Sequence, residues 1–319
     1  MRKRALGKTG LFVSEMGIGT WGLAGEAYGP VEPTDAERVI HRAIDVGITL
    51  IDTADSYGGG HMEHLLGKAL KSLGSYKSRD LVVVTKGGTD RSTIPPRKRF
   101  DRAYLVDSVE RSLKRLGRER LDVYLLHNPS VECLLAGEAL DTLVTLKRDG
   151  KIGHIGVSAG ESEAAMTALD RGAEVISMSY NLVHSADLHR VAGEIMVYGA
   201  GVLAHSPLAY GLLSDAWTQD RTFLPGDHRE RRWEKHELAR RVAQLDAMRF
   251  LVKGNVRSLR AAAIRFVLAN HLVSCAILGP RTVDQLVELV RETGGGPIYL
   301  PDADMAVLPR TLAKVGIMM

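Results

Sequence analysis

Residues 103–127 read AYLVDSVERSLKRLGRERLDVYLLH, a helix pattern followed by a strand pattern. Apolar residues in the first part recur every three or four positions, and Gly117 supplies the left-handed stop that often ends a helix. The second part, LDVYLLH at 121–127, is a short apolar run that closes on a polar residue, His127. The run before the helix has the same shape: LVVVTKG at 81–87, with Lys86 near its end. Strand, helix, strand in this order is the repeating unit of a parallel sheet.

The unit recurs along the chain. MGIGTW (16–21), ITLIDTA (48–54), LVVVTKG (81–87), LDVYLLH (121–127), HIGVSA (154–159), VISMSYN (175–181), GVLAHSP (201–207) and CAILGP (275–280) are eight candidate strands. Helical patterns follow them at 35–47, 62–74, 103–117, 137–150, 161–172, 186–199, 258–271 and 283–294. Thr34-Asp35 and Asp107-Ser108 are polar pairs of the kind that cap helix starts. Eight strand–helix pairs in strict alternation predict the α/β class and a (β/α)8 TIM barrel, with residues 1–319 forming one domain. A doubly wound open sheet competes, but no G-x-G-x-x-G opens a helix after the first strand. Residues 1–15 read as an N-terminal β-hairpin turning at Lys8-Thr9-Gly10 and plugging the lower end of the barrel. Residues 212–257 form a long insertion after the seventh strand, with helical periodicity in EKHELARRVAQLDAMRFLV.

Parallel strands in a barrel point the same way, so groups at their C-terminal ends converge on one rim, where such barrels do their chemistry. Asp52 closes ITLID, Tyr57 follows in DTADSYG, Lys86 closes LVVVTK and His127 closes LDVYLLH. A phenol titrates near ~10, too high for an efficient acid or base at neutral pH. An ammonium such as Lys86 beside Tyr57 favours phenolate and lowers that value. Asp52, one strand over, is placed to hold Lys86, and His127 to hydrogen-bond a substrate oxygen. An acid, a phenol, an amine and an imidazole on one rim fit protonation of a carbonyl oxygen while a cofactor supplies hydride. Taken singly, a strand-end Asp or Lys is a cap or a surface charge; the set of four with a Gly-Gly-Gly loop beside it points to function.

Over nearly its whole length the chain resembles an aldo-keto reductase. The matching pieces are GIGTWGLAG, DTADSYGGGHMEHLLG, VVTKGG, SLKRLGRERLDVYLLHNP, GKIGHIGVSA, SPLAYGLL and LGPRTVDQL. The resemblance implies a (β/α)8 barrel that uses NADPH, with NADH less favoured, to reduce an aldehyde or ketone. It implies a tetrad of Asp52, Tyr57, Lys86 and His127, with Tyr57 donating the proton. It assigns Arg281, in Gly279-Pro280-Arg281-Thr282, to the adenosine 2′-phosphate, a job suited to a planar multidentate cation. Gln285 and Glu288 match positions beside the adenine, although Leu289 stands where an asparagine is common. Ser206, Leu208 and Gly211 match the loop beside the pyrophosphate. Thr20, Trp21, Ser158 and His205 complete the implied cofactor contacts. Three departures bear on the nicotinamide: Ala159 replaces a frequent Asn, Ser177 a frequent Gln, and His205 a stacking aromatic residue. The first two each remove a hydrogen bond worth ~0.5–1.5 kcal/mol.

Trp21, Tyr28, Asn128 and Tyr210 lie on loops after strands and are the candidate walls of the substrate pocket. Trp217, Phe223 and Trp233 in the insertion would form a lid or anchor it. His61 and His64 are four-residue-turn neighbours without a third ligand, and read as surface residues rather than a metal site. Cys133 and Cys275 show no CxxC spacing and read as reduced thiols. A net charge of +4 with Lys and Arg spread along the chain does not suggest a nucleic-acid binder. The dense basic stretch DHRERRWEKHELARR alternates with acids and reads as a solvated helix face. No window approaches the ~20 apolar residues of a membrane helix, and MRKRALGKTGLFVS is too interrupted for a signal peptide. A cytoplasmic protein, monomeric or a small homo-oligomer, acting on a small-molecule carbonyl is expected. Two other functions fit the motifs: an NADPH-binding regulatory protein with little turnover, and a sugar or alcohol dehydrogenase running oxidatively.

Overall fold

The computed structural model describes residues 1–74, 78, 80–293 and 296–319. Strands β1 (Lys3–Ala5) and β2 (Phe12–Ser14) form an antiparallel hairpin that pairs Lys3 with Ser14 and Ala5 with Phe12. Strands β3 (Met16–Gly19), β4 (Leu50–Asp52) and β5 (Val82–Gly87) follow, then a small antiparallel hairpin, β6 (Thr89–Asp90) and β7 (Arg97–Lys98). The remaining strands are β8 (Leu121–His127), β9 (Ile152–Ser158), β10 (Val175–Ser179), β11 (Gly201–His205) and β12 (Cys275–Leu278). All but β1, β2, β6 and β7 close into one parallel barrel, in which neighbours in sequence are neighbours in space and β12 pairs back with β3.

Helices Pro33–Asp45, His61–Ser72, Arg102–Leu116, Glu138–Arg148, Ser162–Asp170, Ala192–Tyr198, Leu259–Ala269 and Val283–Thr293 follow the barrel strands. Most limits sit close to the sequence patterns, with Gly117 and Gly199 in the left-handed conformation at two helix ends; the pattern at 186–199 is instead two short helices, Ala186–Arg190 and Ala192–Tyr198, parted at Val191. Gly294, the expected stop of the last pattern, lies outside the described residues. Asp107-Ser108 is no cap. The helix begins earlier, where Asp101 accepts from the Tyr104 amide, and Ser108 falls on its buried face. Helix Pro33–Asp45 starts one position ahead of Thr34, with Pro33 in its first turn. A further helix, Asp302–Ala313, left no sequence signal strong enough to read; it carries Pro309 internally and mixes acidic with apolar residues.

Strand alternation explains both layers of the core. Side chains of successive strand residues point to opposite faces. Leu50, Val82, Val84, Val123, Leu125, Val175, Leu203, Cys275 and Ile277 pack together inside the barrel, capped from below by Leu6 and Val13 of the hairpin. Their neighbours, such as Ile51, Val83, Tyr124 and Leu126, pack outward against the helices. A β-carbon on Gly156 would sit 1.9 Å from the Val175 carbonyl oxygen, so only glycine lets β9 and β10 approach there. Continued by two residues, the inward rows reach Asp52, Lys86 and His127. The same period that fills the core therefore aims these polar groups into the barrel mouth.

Candidate active site

The C-terminal mouth of the barrel opens into a cavity of about 940 Å³. Asp52, Tyr57, Lys86 and His127 all line it. Lys86 Nζ donates to Asp52 Oδ1 at 2.6 Å and to the Thr53 carbonyl at 2.9 Å, and both side chains are buried. The same ammonium lies 5.3 Å from the centroid of the Tyr57 ring. Tyr57 begins a tight turn, Tyr57–Gly60, in which Gly58 and Gly59 both adopt positive φ. Glycine at those positions lets the chain turn tightly after β4, beside Tyr57 at the cavity. The His127 ring meets Tyr57 edge-on, with centroids 6.0 Å apart.

Burial and charge fix the protonation states. Burial raises the Tyr57 pKa more than Lys86 lowers it, so the net shift is upward. The expected acidification by Lys86 is present but outweighed, and Tyr57 is a neutral phenol at pH 7. Burial pushes Lys86 down, yet the Asp52 carboxylate, with Tyr57 adding to it, more than compensates and keeps the ammonium charged. Burial, then Lys86, Lys98 and His205, hold His127 well below the ordinary imidazole range. His205 is lowered to about 4 by burial and Lys86. Both rings are neutral at pH 7.

The cavity continues past the tetrad as a cleft between β9–β12 and their loops. Ser158, Ala159, Ser177, His205, Ser206, Leu208, Gly211, Gly279, Arg281 and Gln285 line it. Ser177 Oγ is buried there without a protein partner, and the loop after β11 holds Ser206, Ala209 and Tyr210 at positive φ beside Gly211. An orphaned hydroxyl at one end and a turned, glycine-bearing loop further along suit the amide and phosphates of a nicotinamide dinucleotide. Thr20 and Glu288 stand back from the cavity. Thr20 is fully buried with its hydroxyl on the Asp52 carbonyl, and Glu288 pairs with Arg260 at 2.7 Å. Arg281 is already engaged: its guanidinium donates to the carbonyls of Tyr28, Gly29 and Pro30 at 2.9–3.0 Å.

Trp21, Tyr28, Asn128 and Tyr210 also line the cavity. Three of them meet a residue the sequence did not single out, His228, whose ring lies 4.7 Å from Trp21 and Tyr28 and 5.4 Å from Tyr210. The basic run after Asp227 is thus only partly a solvated face. Arg229 is clamped by Asp227 and stacks over Tyr28, Trp217 and Phe223 at 4.7–5.5 Å. The His228 amide donates to the Ala27 carbonyl at 2.8 Å, so the insertion roofs the cleft and is anchored to the loop after β3. At the other side Arg91 bridges Glu26 and the Ser56 carbonyl. The signal that could have found Arg229 is the aromatic residues of the same insertion, Trp217 and Phe223, on whose faces a guanidinium stacks.

Behind Lys86 lies a second buried polar group. Asp55 accepts from Ser108 Oγ at 2.8 Å, and Ser108 in turn contacts the Tyr124 hydroxyl at 2.9 Å. Burial raises Asp55 to about 6, with Ser108 acting against the shift. The folded state therefore holds this proton where the unfolded chain has lost it, and between about pH 4 and pH 6 the carboxyl makes stability fall as pH rises. Asp55→Asn removes that dependence. Urea unfolding of both proteins across this window is expected to show the variant gaining on wild type by up to about 3 kcal/mol from pH 4 to pH 7. A constant difference would rule out a buried titrating Asp55.

Comparison with known proteins agrees with the geometry. The model of the Aldo/keto reductase family matches residues 15–293. The chain is 30% identical to aldo-keto reductase YhdN of Bacillus subtilis, covering 92% of this chain and 89% of that protein. It is 29% identical to the NADH-specific methylglyoxal reductase of Escherichia coli, covering 98% and 99%. The solved glycerol dehydrogenase AKR11B4 of Gluconobacter oxydans superposes with a TM-score of 0.85 at 28% identity, over 99% of this chain and 97% of that one. Barrel, rim chemistry and relatives lead to one conclusion: the chain belongs to the aldo/keto reductase family, nicotinamide-dependent oxidoreductases of carbonyl compounds.

Proposed function

We propose that the protein reduces an aldehyde or ketone to the alcohol with NADPH, and that Tyr57 delivers the proton. The observation that carries this reading is the Lys86 ammonium, fixed by Asp52 at 2.6 Å and lying against Tyr57 in a cavity that His127 also lines. Ser158, Ser177 and His205 would hold the nicotinamide, which when bound would supply hydride for the carbonyl carbon. The chain's own groups then act on the oxygen. Neutral His127 hydrogen-bonds it and sets its direction, Tyr57 transfers a proton to it, and Lys86 stabilises the phenolate left behind. Asp52 keeps Lys86 in place and charged.

For the cofactor, Arg281 is the residue offered to a 2′-phosphate. Its present acceptors are neutral carbonyls, and a charged acceptor binds a guanidinium roughly twice as strongly, so a phosphate can displace them. Gln285, whose side-chain oxygen accepts from the Arg281 amide at 2.8 Å, keeps the segment in register. The test is loss of reduced-nicotinamide absorbance on an activated aromatic aldehyde, with NADPH and NADH compared in wild type and Arg281→Met. Turnover with a lower KM for NADPH, erased in the variant, is expected. Equal or better use of NADH by wild type overturns the NADPH assignment. Tight cofactor binding without turnover on any carbonyl favours a regulatory protein instead.

A further inference from the structure

Lys98 belongs to none of the motifs, yet it touches the site. It ends β7, the second strand of the short hairpin between β5 and the following helix. Its Nζ donates to the His127 backbone carbonyl at 2.6 Å and to Thr89 Oγ1 at 2.9 Å. The acceptors are a carbonyl and a hydroxyl, so the positive charge is not cancelled where it sits. His127 is the last residue of β8, and its carbonyl is where the strand leaves the barrel.

We propose that Lys98 is a positioning residue for the reaction, pinning the end of β8 through the His127 carbonyl and setting the electrostatic potential at the His127 imidazole. The inference rests on the carbonyl-reductase reading, in which His127 orients the substrate oxygen. Division of labour at that oxygen depends on charge. A protonated imidazole is the stronger acid and takes over proton donation from Tyr57; a neutral one leaves the proton transfer to the phenol.

The groups that face His127 come from every element around it. They are Lys86 on β5, Lys98 on β7, His205 on β11 and Tyr57 after β4, with Asp52 on β4 behind Lys86 and Ser56 Oγ 3.5 Å from Nδ1. The two lysines and His205 oppose a proton on the ring alongside burial. Lys86 is paired with Asp52 at 2.6 Å, whereas Lys98 donates to neutral acceptors and feels the Asp55 carboxyl at longer range. Lys86 acts on His127 more strongly, but it belongs to the buried pair with Asp52; Lys98 is the cation that can be removed without breaking that pair.

The experiment follows the His127 ring resonances, assigned by their loss in His127→Gln, through a pH titration of wild type, Lys98→Met, Lys98→Gln and Lys98→Arg. The low-pH limb of kcat/KM is recorded on the same proteins. In Lys98→Met and Lys98→Gln the ring is expected to titrate about half a pH unit or more higher, because a like charge has been removed. The low-pH limb moves up with it, and Lys98→Arg stays near wild type. Lys98→Gln keeps a neutral donor for the carbonyl, so a ring shift there with unchanged amide shifts at 127 and 128 separates charge from bond. An unmoved titration in both neutral variants overturns the inference. So does a rise in KM confined to anionic carbonyl substrates with an unmoved pH profile, which makes Lys98 a substrate contact. The resonance titration needs no turnover, so it stands or falls apart from the reductase reading.

Discussion

Tyr57→Phe is expected to lower kcat for carbonyl reduction by two to four orders of magnitude, the usual yield of a positioned general acid. The dissociation constant for the cofactor, read by fluorescence quenching without substrate, should change by less than about threefold. The ring and its approach to Lys86 remain in the variant, and what is lost is the hydroxyl with its own interaction with Lys86. Folding should be nearly unaffected. The sign of the pH dependence gives a second check. Burial holds the phenol protonated, so reduction by wild type should be flat through neutral pH and fall only in the alkaline range. Oxidation of the alcohol needs phenolate and should rise where reduction falls. Equal turnover in Tyr57→Phe, or opposite pH slopes, would remove Tyr57 from the chemistry and leave another acid to be found.

The parts legible in the sequence are those governed by short-range periodicity. A period of two carries Val82 and Val84 into the barrel core and Lys86 to its mouth, and the same count delivers Asp52 and His127. Counting strands and helices was enough to expect closure. The parts that were not legible depend on residues far apart in sequence. Arg229 reads as a solvated charge because, beyond its local ion pair with Asp227, its partners Tyr28, Trp217 and Phe223 are aromatic faces that no charge pattern announces. His228 packs behind the cavity wall, against Trp21, Tyr28 and Tyr210, through a backbone bond to Ala27 that no local pattern records. Lys98 and Arg91 sit on or beside strands of two residues, too short to show alternation. Ser108 has the composition of a cap and the location of a core residue, because Asp55 waits for it across the helix–barrel interface. Arg281 is the instructive middle case. Its identity suits a phosphate, yet its present bonds strap the loop after β3 to the end of β12.

Lys86→Met should cost more than activity, since it leaves Asp52 a buried carboxylate whose principal partner is gone. Asp52 is only 6% exposed, and its second oxygen already lacks a protein partner. Breaking one half of a buried pair typically costs about 3–5 kcal/mol, because the remaining charge stays desolvated. Burial already works to raise Asp52, with Lys86 alone opposing it. Without Lys86 the carboxyl takes up a proton in the folded state at pH values where the unfolded chain is ionised. Stability should then fall as pH rises above the unfolded carboxylate value, and the penalty against wild type should be larger at pH 8 than at pH 5. Urea unfolding at both pH values reads this directly. Asp52→Asn combined with Lys86→Met removes the stranded charge, so the double variant should regain much of the lost stability while remaining inactive. Tyr57 keeps its neighbours in that protein but has no ammonium to stabilise its phenolate. A double variant no more stable than Lys86→Met alone would show that Lys86 contributes through packing, and that the ion pair is not what holds this rim together.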